Sequence, residues 1–111
     1  MSNQIFEASP YLHGPAYQYI THTDCLPSTE DAADQPAPMA RVKLFDPTGS
    51  WTWYIAGYDP EDRIAWGLVD GFEQEFGSFH MAELVAVRGA LGLPLERDLY
   101  WQPRPLAECL R

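Results

Sequence analysis

The stretch Ser50-Trp51-Thr52-Trp53-Tyr54-Ile55-Ala56, followed across Asp59-Pro60-Glu61-Asp62 by Ile64-Ala65-Trp66-Gly67-Leu68-Val69-Asp70, decides the fold. Both runs are rich in aromatic and β-branched residues. The Asp-Pro sequence between them is turn chemistry, because proline presets φ and the aspartate side chain bonds nearby backbone. The pair reads as two antiparallel strands. Trp51, Trp53 and Ile55 alternate with Thr52 and Tyr54, so both faces are bulky, as a central strand requires. In the second strand Ile64, Trp66 and Leu68 form the buried face, and Gly67 lets a neighbouring backbone approach.

Working outward, Val42-Lys43-Leu44-Phe45, closed by Asp46-Pro47-Thr48-Gly49, supplies a strand before this pair. After it, Gly71 marks a bend and residues 72–79 form a further strand. Glu73 and Glu75 share one of its faces, Phe72 and Phe76 the other by way of a bulge near Gly77. Met81, Leu84, Val85 and Arg88 fall at i, i+3, i+4 and i+7, which predicts a helix over 81–88. Ser78 or His80 caps its start, and Gly89 or Gly92 ends it before Leu93-Pro94-Leu95. Residues 96–101 return as a last strand, and 106–110 make a terminal helical turn. The expected fold is α+β: an antiparallel sheet of four or five strands with one main helix packed on a face.

The flanks divide the 111 residues into three parts. Residues 1–23 form an N-terminal arm with the rings Phe6, Tyr11, Tyr17 and Tyr19, and 18–23 alternate enough for a short strand. The arm either docks on the sheet or offers its tyrosines to a partner. Residues 24–38 combine three prolines and several acids with one large apolar side chain, Leu26, and read as a flexible acidic linker. Residues 39–111 are the core domain. No charged-then-apolar leader opens the chain, and no apolar run approaches the roughly 20 residues that span a bilayer. A cytoplasmic protein with reduced Cys25 and Cys109 is expected.

Sixteen Asp and Glu stand against seven Lys and Arg, a formal net charge of -9. Direct binding to a phosphate backbone needs clustered positive charge, and Arg41 with Lys43 is the nearest approach to it. Nucleic acid is therefore not the expected ligand. A basic protein surface, of the kind built to hold nucleic acid, suits this balance.

Lys43-Leu44-Phe45 before Pro47 and Gly49, then Asp59-Pro60-Glu61-Asp62, Ala65-Trp66-Gly67-Leu68, Asp70, and Arg88-Gly89 through Leu91-Gly92-Leu93-Pro94-Leu95-Glu96-Arg97-Asp98 resemble the core of a bacterial domain family of unknown function. The resemblance covers roughly residues 39–103. It implies a setting on plasmids, phages and integrated elements, and it carries no catalytic residue to transfer.

Between Asp46 and Glu83 the acids crowd together. Asp59, Glu61, Asp62, Asp70, Glu73 and Glu75 are the candidate partner-binding residues, a row of carboxylates able to imitate phosphates in a basic channel. With a mobile-element setting this points to a non-enzymatic inhibitor of a host defence complex, of the anti-CRISPR or anti-restriction type, needing no cofactor or metal. The rival is a metal-dependent hydrolase or nuclease assembled from Asp70, Glu75, His80 and Glu83. His22 and Cys25, with His13 upstream, have half the spacing of a zinc site. Trp51, Trp53 and Trp66 form either a stacking platform or core. Arg97, between two acids, reads as a structural brace bonded to one of them or to carbonyls near Gly92.

Overall fold

The computed structural model describes residues 4–9 and 17–111, so Tyr11 and His13 lie outside the described residues. Its centre is a five-stranded antiparallel sheet in the order β7-β6-β5-β4-β8. β4 is Val42–Phe45, β5 is Thr52–Asp59, β6 is Ile64–Asp70, β7 is Gln74–His80 and β8 is Glu96–Arg97. The aromatic stretch is the centre of this sheet, and the α+β expectation holds.

Each face is covered. On one, Trp53, Ile55 and Ala65 pack with Val42, Leu44 and Leu95, and with Met81 and Leu84 of helix α2 (Met81–Ala86). The arm closes this face as a hairpin of β1 (Ile5–Ala8) and β2 (Gln18–Thr21), whose Tyr19 and Ile20 are fully buried in the same cluster. Docking therefore describes the 4–9 and 17–23 segments of the arm. On the other face Leu68 meets Ala32, Ala40, Ala56 and Leu106, with Tyr54, Trp66 and Trp101 around them. Short strands β3 (Met39–Ala40) and β9 (Arg104–Pro105) pair beside it, and a 3-10 turn, Leu106–Cys109, supplies Leu106. The Trp residues of the stretch thus separate: Trp53 faces one cluster and Trp66 the other, so they form no common platform.

Three local expectations are corrected. The segment read as a flexible linker, 24–38, holds helix α1 (Thr29–Asp34) against β5 and β6. Its one buried residue, Ala32, fits because β5 offers Gly57, where even a Cβ would come within 2.7 Å of the Ala32 methyl. Ser28 caps the helix by accepting from the Asp31 N–H, and Asp59 accepts from both the N–H and the hydroxyl of Thr29. Two small residues and two side-chain caps order a segment whose composition is that of a loop.

The bulge lies at Ala56, not near Gly77. Ile55 pairs with Gly67 and Gly57 with Trp66, which leaves Ala56 extra, whereas β6 and β7 pair without a break. The extra residue turns Tyr58 to the same face as Trp53 and Ile55. Gly67 is required opposite it, since a Cβ there would sit 1.8 Å from the Tyr54 carbonyl oxygen. Finally, α2 stops at Ala86, two residues short of the expected end: Val87 is extended, and the Arg88 guanidinium bonds the carbonyls of Val85 and Val87. His80 occupies the N-cap position without a side-chain bond, and the Met81 N–H is satisfied by the Arg63 carbonyl instead. Among the described residues no helix is long and apolar enough to cross a membrane.

Candidate partner-binding site

The acids sort into those that hold the fold and those that face outward. Glu7, on β1, is fully buried; its carboxylate takes a two-pronged contact from Arg63 at 2.8 and 3.0 Å and accepts the Tyr58 hydroxyl at 2.6 Å. Arg63 reaches it from the β5–β6 turn, where its φ of 55° lies in the left-handed region. Burial first, then the Glu7 hydrogen bond and charge, push the Tyr58 phenol well above its ordinary range. Asp24 grips Arg97 at 2.6 and 2.8 Å, and Arg97 also donates to the Tyr19 carbonyl. Arg97 is thus a brace, with Asp24 as its partner rather than its neighbours Glu96 and Asp98 or a carbonyl near Gly92. Lys43 pairs with Asp98 at 3.6 Å and Arg111 with Asp70 at 3.0 Å.

These four pairs consume four of the sixteen carboxylates and four of the seven cations, leaving twelve acids against three arginines. Two of those arginines are also engaged: Arg88 bonds its own helix end, and Arg104 lies 4.2 Å over the Trp101 ring. The surplus negative charge is therefore concentrated on the exterior.

The six candidate residues do not form one row. Asp59, Glu61 and Asp62 belong to the β5–β6 turn at one end of the sheet; Asp70, Glu73 and Glu75 lie at the other, about 20 Å away along β6. Asp59 is occupied by Thr29 and Asp70 by Arg111. Glu73 falls in the bend before β7 rather than on the strand face shared with Glu75. Glu61, Asp62, Glu73 and Glu75 are exposed and form no ion pair among the described residues.

At the turn end the acids border an open groove of about 760 Å³. Phe6, Ile20, Leu26 and Tyr58 give it an apolar lining, and His22, Cys25, Asp59, Glu61 and Asp62 its polar part. Such a volume accommodates one or two side chains of a partner, with a cation attracted to the acids and its aliphatic stem to the rings.

The rival metal set is dispersed. Asp70 pairs with Gln74 in the ladder and Ile64 with His80, which puts Asp70 and Glu75 at one end of the β6–β7 hairpin and His80 and Glu83 at the other. Among the described residues no three His, Cys, Asp or Glu side chains gather as a metal site, His22 and Cys25 included. Both cysteines are free thiols.

Glu7, Asp24, Tyr58 and Arg111 escaped the sequence reading. Their partners lie 37 to 73 residues away, beyond the reach of any spacing rule. By contrast, the quoted family stretches meet in space: Gly89 packs where a Cβ would come within 2.3 Å of the Thr48 hydroxyl, and the Ala90 N–H donates to that hydroxyl. They hold two loops together.

No curated protein and no solved structure matches the chain. A family model described as a protein of unknown function, DUF2958, matches residues 20–110, from the buried Ile20 of the arm almost to the C-terminus, and the chain belongs to that family.

Proposed function

We propose that this chain is a protein-binding module that engages a basic, nucleic-acid-handling surface of a host complex, in the manner of an anti-CRISPR or anti-restriction protein of a mobile element. The observation that carries this reading is the asymmetry of its charges. Four of the cations are paired with Glu7, Asp24, Asp70 and Asp98, while Glu61, Asp62, Glu73 and Glu75 stay exposed without an ion pair among the described residues. Carboxylates presented without neutralising partners raise the negative potential that a phosphate-binding groove is built to receive. Asp59 and Asp70 support the presentation through Thr29 and Arg111 and make no direct contact in this scheme.

Binding of the purified chain to purified restriction and CRISPR effector complexes tests it. Affinity should fall steeply as salt rises and the screening length shortens from about 30 to 8 Å. Reversal of Glu61, Asp62, Glu73 and Glu75 to Lys should abolish binding, and duplex DNA should compete for the same surface. Binding that ignores salt and tolerates all four reversals overturns the proposal.

A further inference from the structure

The two edges of the central sheet differ. β8 is two residues long, whereas β7 is seven, pairs with β6 over its whole length, and has no bulge, proline or lysine to discourage a further strand. The phase of its ladder follows from its ends. The Met81 N–H bonds the Arg63 carbonyl, and the Gly71 N–H bonds the Glu73 carbonyl. In an antiparallel pair the residues that exchange bonds alternate with those that do not. Glu75, Gly77 and Phe79 therefore turn their backbone groups to β6, and Gln74, Phe76, Ser78 and His80 turn theirs outward. The Gln74 side chain is tied to the C-terminal segment through the Cys109 carbonyl and the Arg111 N–H. Among the described residues the outward N–H and C=O groups of Phe76 and Ser78 and the N–H of His80 face no further strand, while the His80 carbonyl, at the N-cap of α2, opens that helix.

We propose that β7 accepts an extended, basic segment of a partner protein as a sixth strand, bonded to the outward N–H and C=O groups of Phe76 and Ser78 and to the N–H of His80. The inference rests on the binding-module reading and specifies how the partner docks. Backbone groups supply affinity in strand addition, and side chains supply selectivity. Here the side chains are a ledge and two acidic ends. Phe76, half exposed, stacks on Trp66 with ring centroids 6.4 Å apart and offers an apolar surface to a neighbouring strand. Glu73 and Glu75 lie at one end of the edge, and Glu61 and Asp62 in the turn at the other, since the ladder sets His80 opposite Ile64. A second copy of this chain would bring the same acids and a charge of -9 to the edge, so charge favours a cationic strand over self-pairing.

The test follows amide exchange by NMR with a capped lysine–valine alternating peptide of about eight residues, and with its glutamate–valine counterpart. The lysine peptide should slow exchange at Phe76, Ser78 and His80 by about tenfold or more, while Glu75, Gly77 and Phe79 stay as protected as before. The glutamate peptide should not. Ser78→Pro removes one outward N–H that β6 does not use, so it should leave the circular dichroism unchanged and abolish the protection. If that variant does not fold, the wild-type exchange pattern still decides.

Perturbation confined to the groove at Glu61 and Asp62, with the three amides fast, overturns strand addition and leaves the proposed function standing. Loss of protection or no binding by the lysine peptide at millimolar concentration overturns it too. Equal protection by both peptides overturns the charge selection. Protection that appears without peptide and grows with protein concentration overturns the basic partner in favour of a second copy. Edge protection alongside complexes that tolerate the four reversals would instead sink the mimicry reading alone.

Discussion

The N-terminal hairpin and the β7 edge both bring carboxylates to the same sheet, and the two use them in opposite ways. Glu7 in the hairpin is buried, takes both prongs of Arg63 and accepts from Tyr58; Asp24, just after the hairpin, holds Arg97. Glu73 and Glu75 at the edge are exposed and hold no cation among the described residues. A buried carboxylate persists only when its lost hydration is replaced by fixed donors, whereas a solvated one costs little and contributes little. The residue type is the same in both places. What differs is whether the fold supplies donors, and that separates acids that maintain the structure from acids available to a partner.

The hairpin side breaks first. Glu7→Ala removes the acceptor of Tyr58 and the partner of Arg63 together. Loss of one member of a buried pair costs 3–5 kcal/mol in general, and Arg63 can recover some hydration because its side chain is 47% exposed, so about 3 kcal/mol is expected. Denaturant midpoints measure it. A loss below about 1 kcal/mol would mean that the hairpin is held by Tyr19 and Ile20 alone and that the comparison overstates Glu7.

The unequal legibility of the two regions has a physical origin. Trp53, Ile55 and the Asp-Pro turn announce the sheet because alternation and turn chemistry are local, and all the information lies within a few residues. Helix α1 was hidden because its burial depends on Ala32 meeting Gly57, a fit between two small side chains that reads as low hydrophobicity along the chain. The bulge is illegible for a similar reason: Gly67 takes the close backbone approach expected of it, at the Tyr54 carbonyl, but nothing local marks Ala56 on the facing strand as the extra residue. Among the candidate acids, position in a turn marks Glu61 and Asp62 as exposed, whereas Glu73, expected on a strand face with Glu75, lies in the bend before β7. Nothing local marks Asp59 and Asp70 as engaged, since Thr29 and Arg111 are 30 and 41 residues distant.

Alkali sharpens the hairpin side further. Tyr19 is fully buried and donates to the Leu95 carbonyl at 2.6 Å. Burial raises its phenol from 10.0 to about 12, and Tyr58 is shifted in the same direction. The folded pKa lies above the unfolded one, so the contribution to stability is fully present below about pH 10 and disappears as pH climbs through the folded value. Unfolding midpoints should therefore be flat near neutrality and fall between about pH 10 and 12. Tyr19→Phe should be less stable at neutral pH, with a shallower alkaline decline. An unchanged decline in that variant would assign the effect to Tyr58 beside Glu7.

The smallest expected effect lies at the edge, and it tests the comparison from its other side. Glu73→Lys with Glu75→Lys should shift unfolding stability by no more than about 0.5 kcal/mol, because neither carboxylate has a fixed donor to lose. A slight gain is the favoured direction: each reversal removes two units from a chain carrying -9, which relieves self-repulsion in the folded state. The same double variant is expected to weaken binding to a basic partner, so stability and binding should move independently. A loss above about 1.5 kcal/mol would show that these acids brace the β6–β7 hairpin as Glu7 braces the arm. Their exposure would then be incidental to scaffolding, and the charge reversals would report on folding rather than on recognition.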